Sequence, residues 1–507
     1  VTNYFSGWTR QNMDIVAKYG NSFFSDRFGF NIMAGASQES YSSESTTAKR
    51  YDLLDPSLDV LDACTGDSSA TGEKTEWAMR SYFARLNLNW AEKYLLEANI
   101  RADGSSRFRP GHRWGVFPSV SAGWRLSEEK WLKGTFVNNL KLRASWGGLG
   151  NNSVGNYSSL AVYSKSNYSW GDQLAVGVIQ AALANEAMTW ETTYVTDLGL
   201  DFGFLGGRLT GTVDWFIKTT KGILITLPAP AVHGSATIPT TNAATVSNKG
   251  VEIALGWHDH VGDFHYGADA NFTYVKNNVD KFKGDDYSLS GANMIKEGLP
   301  INSQYGYVVD KIVQTAADMN QINRMLMNNP DAFKSLGKPS YGDFLYKDLN
   351  KDGIINDKDR TIISDGPTPK YLFGLNLSAS WKGIDFSVLL QGQAGASVIY
   401  YQDIDGLTPV YRWGYAINKD VAEAAWRDGR TDATWPRLTD YTYSLNTKTS
   451  DFYLEDLSFL KIRNIQLGYS LPDKWIRKAH FDKVRFYCTM ENFFTFTRYR
   501  LLDPEVN

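Results

Sequence analysis

The sequence predicts an all-β fold, a transmembrane antiparallel β-barrel whose strands are joined by long extracellular loops. First, apolar and polar residues alternate in many runs, as in Arg85 to Trp90 and Leu96 to Asp103, a period typical of strands. Second, the runs are about 9–13 residues long, beyond the mean of about 5–6 residues for soluble strands and enough to cross a bilayer at a tilt. Third, short and long connections alternate along the chain, as in outer-membrane barrels.

Composition excludes several other classes of protein. The 507 residues carry a net charge of −3, which provides no attraction to nucleic acid, and the two cysteines exclude a disulfide scaffold. No stretch reaches about 18 consecutive apolar residues, so no transmembrane helix is predicted. Aromatic residues make up 14% of the chain, and 44 glycines accompany them, as expected of a large β protein with tight turns.

The strands can be assigned in chain order from the alternation. Short turns are predicted near 91–93, 205–207, 259–263 and 382–383, and long polar segments near 37–80, 148–190, 220–248, 277–369 and 397–454. With a hairpin at 10–36, the count is about 16 strands, and every long segment then falls on the same side of the membrane. Further alternating runs cover residues 116–126, 140–146, 198–204, 209–217, 251–257, 264–274, 371–381, 384–390, 465–471 and 484–490.

A large soluble β-sandwich array or propeller is the alternative fold. Its strands would be shorter and its loops more even, and it would carry internal repeats of about 40–50 residues. The sequence has no such repeat. The pattern therefore favours the barrel, in which the apolar side chains face lipid and polar ones such as Arg143, Asp197 and Asp201 face the lumen.

Five segments together resemble one family, the SusC/RagA-type TonB-dependent outer-membrane transporters of Bacteroidetes. Each motif alone is weak, but their combination spans nearly the whole chain. The segments are Arg101–Asn156, Met188–Lys221, Asn248–Leu255, Tyr341–Gly395 and Leu454–Glu505.

The resemblance implies a 22-stranded barrel in the outer membrane with a plugged lumen, and active import without catalysis or an organic cofactor. It also implies energy supplied through TonB, a SusD-like surface lipoprotein as a lid, outer-membrane lipid around the barrel, and oligosaccharide or peptide as cargo. Family members often form dimers of transporter–lid pairs. Because no plug precedes Val1 and the last strand is missing after Asn507, residues 1–507 are expected to be a partial barrel.

One local motif predicts a calcium site. Its spacing, D-x-N-x-D-G-x5-D, is that of a 12-residue calcium loop, with side-chain oxygens at positions 1, 3 and 5, a sharp turn at Gly353, a backbone carbonyl at position 7 and an acid at position 12. The alternative is a solvated turn that satisfies its own backbone. The predicted Ca²⁺ ligands are Asp348, Asn350, Asp352, Ile354 and Asp359.

Aromatic residues in the predicted external loops are candidates for contact with cargo, because their faces can stack on sugar rings or peptide side chains. We select Trp170, Tyr411 and Trp413. The alternative is that they pack the loops or form the aromatic girdle at the membrane interface. For the function, two alternatives to active import remain: a passive outer-membrane porin and a soluble carbohydrate-binding β protein.

Overall fold

The computed structural model describes residues 1–25, 27–227, 238–284, 286–399, 410–411, 417–440, 445–477, 480–499 and 503–505 of the chain, with backbone alone at 410, 411 and 440. The chain forms two compact units, Val1–Lys249 and Gly250–Asn507. Each unit is described by itself below.

The first unit is built from antiparallel strands. Consecutive strands pair as neighbours, except that β6 pairs with β9 and the hairpin formed by β7 and β8 is a separate two-stranded sheet. The strands are β1 (Thr2–Phe23), β2 (Phe28–Arg50), β3 (Ser68–Trp90), β4 (Tyr94–Ser105), β5 (Trp114–Arg125), β6 (Val137–Asn151), β7 (Val162–Trp170), β8 (Gln173–Ala182), β9 (Glu191–Phe204), β10 (Leu209–Ile225) and β11 (Thr241–Val261), the last of which ends in the second unit.

The apolar face of these strands is exposed rather than buried between two layers. Leu198 and Leu142 are 50% and 44% exposed, although both belong to the alternating apolar rows. In a soluble sandwich such rows would form the core between two sheets. The exposure therefore agrees with the sequence-based prediction that this face contacts lipid.

The predicted short turns are confirmed. Two to four residues separate the paired strands, at 91–93, 205–208, 262–263 and 382–383. Gly206 and Gly207 follow β9 with φ values of 70° and 86°, a conformation that favours glycine.

Several strands are longer than the sequence suggested. The segment 37–80 was expected to be a loop, but β2 continues to Arg50 and β3 begins at Ser68, and the two pair without a register shift. Alternation disappears there because both faces are polar, although the Thr residues in this segment still favour strands. Within the described residues, the long strands of barrel type number fourteen, which is two fewer than expected: eight in the first unit, five in the second and β11.

The second unit combines long strands with a compact region made from the two longest loops. Its elements are β12 (Phe264–Phe282), β13 (Ser288–Ser290), β14 (Asn293–Ile295), β15 (Ser303–Gly306), β16 (Val309–Ile312), α1 (Ala316–Asn328), β17 (Phe344–Tyr346), β18 (Thr361–Ser364), β19 (Tyr371–Trp381), β20 (Ile384–Ala394), β21 (Ser397–Ile399), β22 (Val410–Tyr411), α2 (Lys419–Ala424), β23 (Thr439–Asp440), β24 (Leu454–Asp456), β25 (Phe459–Ser470), α3 (Asp473–Ile476) and β26 (Arg485–Thr497).

This compact region, which we call the loop domain, has its own hydrophobic core. Ile322 of α1, Phe344 of β17 and Ile355 are at most 1% exposed in it, and Trp435, at 9%, belongs to the same cluster. Helix α1 begins with a capping box between Thr315 and Asp318, which satisfies backbone N–H groups at the start of the helix. None of the helices in the described part of the chain is long and apolar enough to span a membrane.

Candidate functional site

The polar face of the first unit carries a cluster of charges around one arginine. Arg143 of β6 donates from Nε and Nη2 to Asp201 at 2.9 and 2.7 Å, and from Nη2 to Asp214 at 2.8 Å. Asp197 lies 3.9 Å from Nη1. Three carboxylates on two neighbouring strands therefore share one guanidinium, and the cluster keeps an excess of negative charge.

Gly199 makes this cluster possible. A Cβ atom at that position would overlap Asp214 Oδ1 and lie 2.6 Å from Arg143 Cζ. Because glycine has no side chain, Arg143 can reach across β9 to Asp214 on β10. The sequence predicted the polar face, but it gave no indication that these acids converge on one arginine.

The same polar face contains a hollow of about 560 Å³. Its lining combines amides and both signs of charge with apolar residues such as Phe30 and Leu95, a mixture that suits a water-filled or plugged interior. Among the lining residues are Asn31, Asn87, Asn89, Glu97 and Lys141.

In the second unit, residues 503–505 fold back onto β25. Lys461 Nζ lies 2.6 Å from both Asp503 Oδ2 and Glu505 Oε2, and Arg463 also pairs with Glu505. Lys461 is 1% exposed, so these ion pairs compensate a buried charge. Sequence analysis missed this contact because 42 residues separate Lys461 from Asp503. We call residues 503–505 the acidic strap.

The predicted calcium loop forms a tight turn stabilised by its own side chains. Gly353 has a φ of 81° and donates its N–H to Asp348 Oδ2 at 2.9 Å. Asn350 Oδ1 accepts from the N–H of Asp352, and Asp352 Oδ1 accepts from the N–H of Ile354. The side chains at positions 1, 3 and 5 thus accept hydrogen bonds from backbone N–H groups of the same loop.

Position 12 of the loop is buried. Asp359 has no exposed surface, and its carboxylate accepts from the N–H groups of Leu349 and Asn356, both at 2.9 Å. Among the described residues, no group of three His, Cys, Asp or Glu side chains is placed to hold a metal ion. Asp348 Oδ1, another carboxylate oxygen of the loop, is buried but forms no hydrogen bond with any described residue.

The loop is attached to the core of the loop domain at two points. Ile355 is 1% exposed, and its N–H donates to the carbonyl of Ala332 at 2.8 Å. The Tyr307 hydroxyl donates to Asp357 Oδ1 at 2.7 Å. Burial, followed by this hydrogen bond, raises the pKa of Tyr307 above its ordinary value.

Of the candidate cargo-contact residues, Trp170 is the one whose side chain lies within the described part of the chain. Trp170 ends β7, is 77% exposed, and lies 6.3 Å from Tyr168 between ring centroids. The backbone of Tyr411 belongs to β22, but its side chain and Trp413 lie outside the described residues. Contact with cargo therefore stays a prediction for all three residues.

Comparison with known proteins identifies the fold. The family model described as "TonB dependent receptor-like, beta-barrel" matches residues 2–488. The TonB-dependent receptor SusC of Bacteroides thetaiotaomicron is 31% identical over 86% of this chain and 42% of its own length. TonB-dependent receptor P3 of Formosa agariphila is 30% identical over 85% of this chain and 42% of its own.

A solved structure, that of the RagAB peptide transporter, superposes with a TM-score of 0.83 at 22% identity and covers 100% of this chain and 54% of that one. The chain thus spans less than half the length of the curated relatives it matches. The exposed apolar rows face outer-membrane lipid and the charged face lines the lumen. The chain belongs to the TonB-dependent receptor family, as a SusC- and RagA-like β-barrel of the outer membrane.

Proposed function

We propose that the whole protein actively imports a large nutrient, an oligosaccharide or a peptide, across the outer membrane with energy supplied through TonB. The single observation that supports this most strongly is the family match over residues 2–488. The charged lumenal face around Arg143 is consistent with an interior that contacts a plug and water rather than apolar cargo.

We propose that the partner on the cell surface is a SusD-like lipoprotein that closes over the external loops. The solved relative whose fold this chain shares is named RagAB, a peptide transporter. The loop domain offers a folded external surface for such a lid, since it has its own core. We further propose that two transporter–lid pairs associate. Purification of the intact transporter from native membranes should recover the lipoprotein at about one copy per barrel. Recovery of the barrel without the lipoprotein in a mild detergent would contradict the proposal that a lipoprotein lid is its partner.

Energy dependence separates active import from a passive porin, the alternative function. Cells that express the full-length transporter should lose uptake of labelled oligosaccharide or peptide when the proton-motive force is dissipated. Uptake should also fail in a strain without TonB. A porin would pass small solutes at the same rate in both conditions, so unchanged uptake would overturn the proposal.

We also propose that the loop from Asp348 to Asp359 binds Ca²⁺ and stabilises the loop domain. The buried oxygen Asp348 Oδ1 supports this, because a buried carboxylate oxygen without a hydrogen bond is costly unless a cation lies beside it. Asn350, Asp352 and the Ile354 carbonyl would add further oxygens, the ligand type that Ca²⁺ prefers.

Equilibrium dialysis of the full-length protein against Ca²⁺ tests this proposal. We expect one bound ion per chain, with a dissociation constant on the order of 10⁻⁴–10⁻³ M, as for extracellular calcium modules. Asp348→Asn should weaken binding at least tenfold. Asp331→Asn, at an exposed acid outside the loop, is the matched control. No binding at millimolar Ca²⁺, or equal binding by both variants, would retire the site.

The cargo contacts can be tested in the same uptake assay. We propose that Trp170, Tyr411 and Trp413 contact cargo, and Trp170 has the exposed ring that this requires. Trp170→Ala should raise the cargo concentration needed for half-maximal uptake, whereas Trp475→Ala, at a similarly exposed tryptophan near β26, should not. Equal uptake by both variants would remove Trp170 from the site.

A further inference from the structure

The lipid-facing surface of the first unit contains a hollow of about 760 Å³. Its floor is formed by two alanines that lie directly opposite each other, Ala122 of β5 and Ala144 of β6. Larger side chains border the two alanines: Trp124 and Leu142 form the neighbouring lipid-facing pair on the same two strands, and Leu198 lies opposite Ala144 on β9. An apolar belt with similar side chains at every position would have no such depression.

One end of this hollow lies at the membrane boundary on the side of the short turns. The Tyr94 hydroxyl and Trp124 Nε1 both donate to Glu129, at 2.9 and 3.3 Å, and the two rings stack with centroids 6.2 Å apart. Aromatic side chains with a polar tip are typical of the interface between lipid and water. The hollow therefore begins at the interface and extends towards the middle of the bilayer.

Positive charge lies just beyond this boundary. Lys93 pairs with Glu129 at 3.0 Å, and Lys133 and Arg125 both pair with Glu128, at 3.6 and 3.2 Å. Lys130 is exposed and has no ion-pair partner among the described residues. Lipid phosphates lie at this depth, so an uncompensated ammonium group here is complementary to them.

We propose that this hollow binds one phospholipid of the periplasmic leaflet. An acyl chain lies over Ala122 and Ala144, and the phosphate lies beside Lys130. The short turns of such barrels face the periplasm, which assigns the site to that leaflet. A single flexible acyl chain can lie over the two alanines beside Trp124, Leu142 and Leu198, whereas a broad row of side chains from a second copy of this chain would meet Trp124 before it reached the alanines.

The inference is tested on the full-length transporter, purified in a detergent that strips loosely held lipid and weighed by native mass spectrometry. Wild type should retain about one phospholipid per barrel. The double variant Ala122→Leu and Ala144→Leu fills the hollow and should retain none. Both alanines are exposed, so leucine meets no packed neighbour. Ala270→Leu, at an exposed lipid-facing alanine of β12, is the control and should retain the lipid.

The headgroup contact has its own variant. Lys130→Glu should reduce lipid retention, and Lys334→Glu, at an exposed lysine of the loop domain, should not. Equal retention by wild type and the leucine double variant would overturn the proposal. It would also be overturned if wild type were a dimer that the double variant converts to a monomer, because the hollow would then be an interface between copies.

Discussion

The ammonium group of Lys461 lies 2.6 Å from Asp503 Oδ2, although the lysine is 1% exposed and the aspartate follows 42 residues later. The contact places Asp503, which follows β26 in the sequence, against β25. Glu505 completes it by pairing with Lys461 and Arg463. Asp503 and Glu505 thus neutralise the buried Lys461 and the half-buried Arg463. Because the lysine is more deeply buried than Asp503, removing the acids and removing the lysine should have different effects on stability.

Removing the acids Asp503 and Glu505 should reduce the free energy of unfolding more than removing Lys461. The double variant Asp503→Asn and Glu505→Gln leaves Lys461 buried and unpaired, which should reduce the free energy of unfolding by about 3–5 kcal/mol. Lys461→Met should cost less, because Asp503 is 44% exposed and can be hydrated. Urea unfolding in detergent measures both. Lys419→Met, at an exposed lysine, is the control, and equal losses from both strap variants would contradict this account.

The acidic strap should also make stability depend on pH. The hydrogen bond from Lys461 lowers the pKa of Asp503 below its ordinary value. A carboxyl with a lowered folded-state pKa contributes stability above its unfolded pKa and loses it as the pH falls through the folded value. The unfolding temperature of wild type should therefore fall more steeply than that of Lys461→Met between about pH 5 and pH 2. Parallel curves would exclude a contribution from the strap.

Gly342 of the loop domain combines a positive φ with a close approach of neighbouring atoms. Gly337 has the positive φ alone, so comparing the two glycines separates the two effects. The φ of Gly342 is 84°, and a Cβ there would lie 2.5 Å from Trp426 Cε3 and 2.7 Å from Arg437 Cβ. Gly337 has a φ of 94° but no atom within 4 Å of such a Cβ. Gly337→Ala should cost about 1 kcal/mol. Gly342→Ala should reduce the free energy of unfolding more than Gly337→Ala does, and it should make the loop domain more sensitive to protease. Equal protease sensitivity of the two variants would show that the close contact at Gly342 is unimportant.

The buried carboxylate of Asp343 depends on Arg437. Arg437 Nε donates to Asp343 Oδ1 at 2.7 Å, and Asp343 has no exposed surface. Arg437→Met should therefore destabilise the loop domain by about 3–5 kcal/mol, because it removes the guanidinium that pairs with this buried carboxylate. Adding Asp343→Asn should restore part of that stability. Limited proteolysis of the loop domain measures the effect of the single and the double variant. If the double variant is as sensitive to protease as Arg437→Met, the buried charge of Asp343 is not the cause of the destabilisation.

The pattern of the sequence was sufficient for the barrel strands. Alternation from Leu86 to Trp90 and from Leu96 to Ala102 predicted a hairpin, and β3 and β4 pair there as expected. Helix α1 begins at a capping box between Thr315 and Asp318, a local signal that the sequence itself contains. Alternation failed at residues 37–50 and 68–80, since strands that stand clear of the membrane have polar residues on both faces.

The sequence by itself determined the fold class and the family, because membrane-crossing strands impose a period of two and a minimum length on local residues. The convergence of Asp201 and Asp214 on Arg143, the acidic strap on Lys461 and the alanine floor of the lipid-facing hollow were decided only by the tertiary structure. The charge cluster depends on the registers of β9 with β6 and β10, the alanine floor on the register of β5 with β6, and the strap on a contact across 42 residues. Register is set by pairing across the whole sheet, and no local pattern of residues encodes which side chains it will bring into contact.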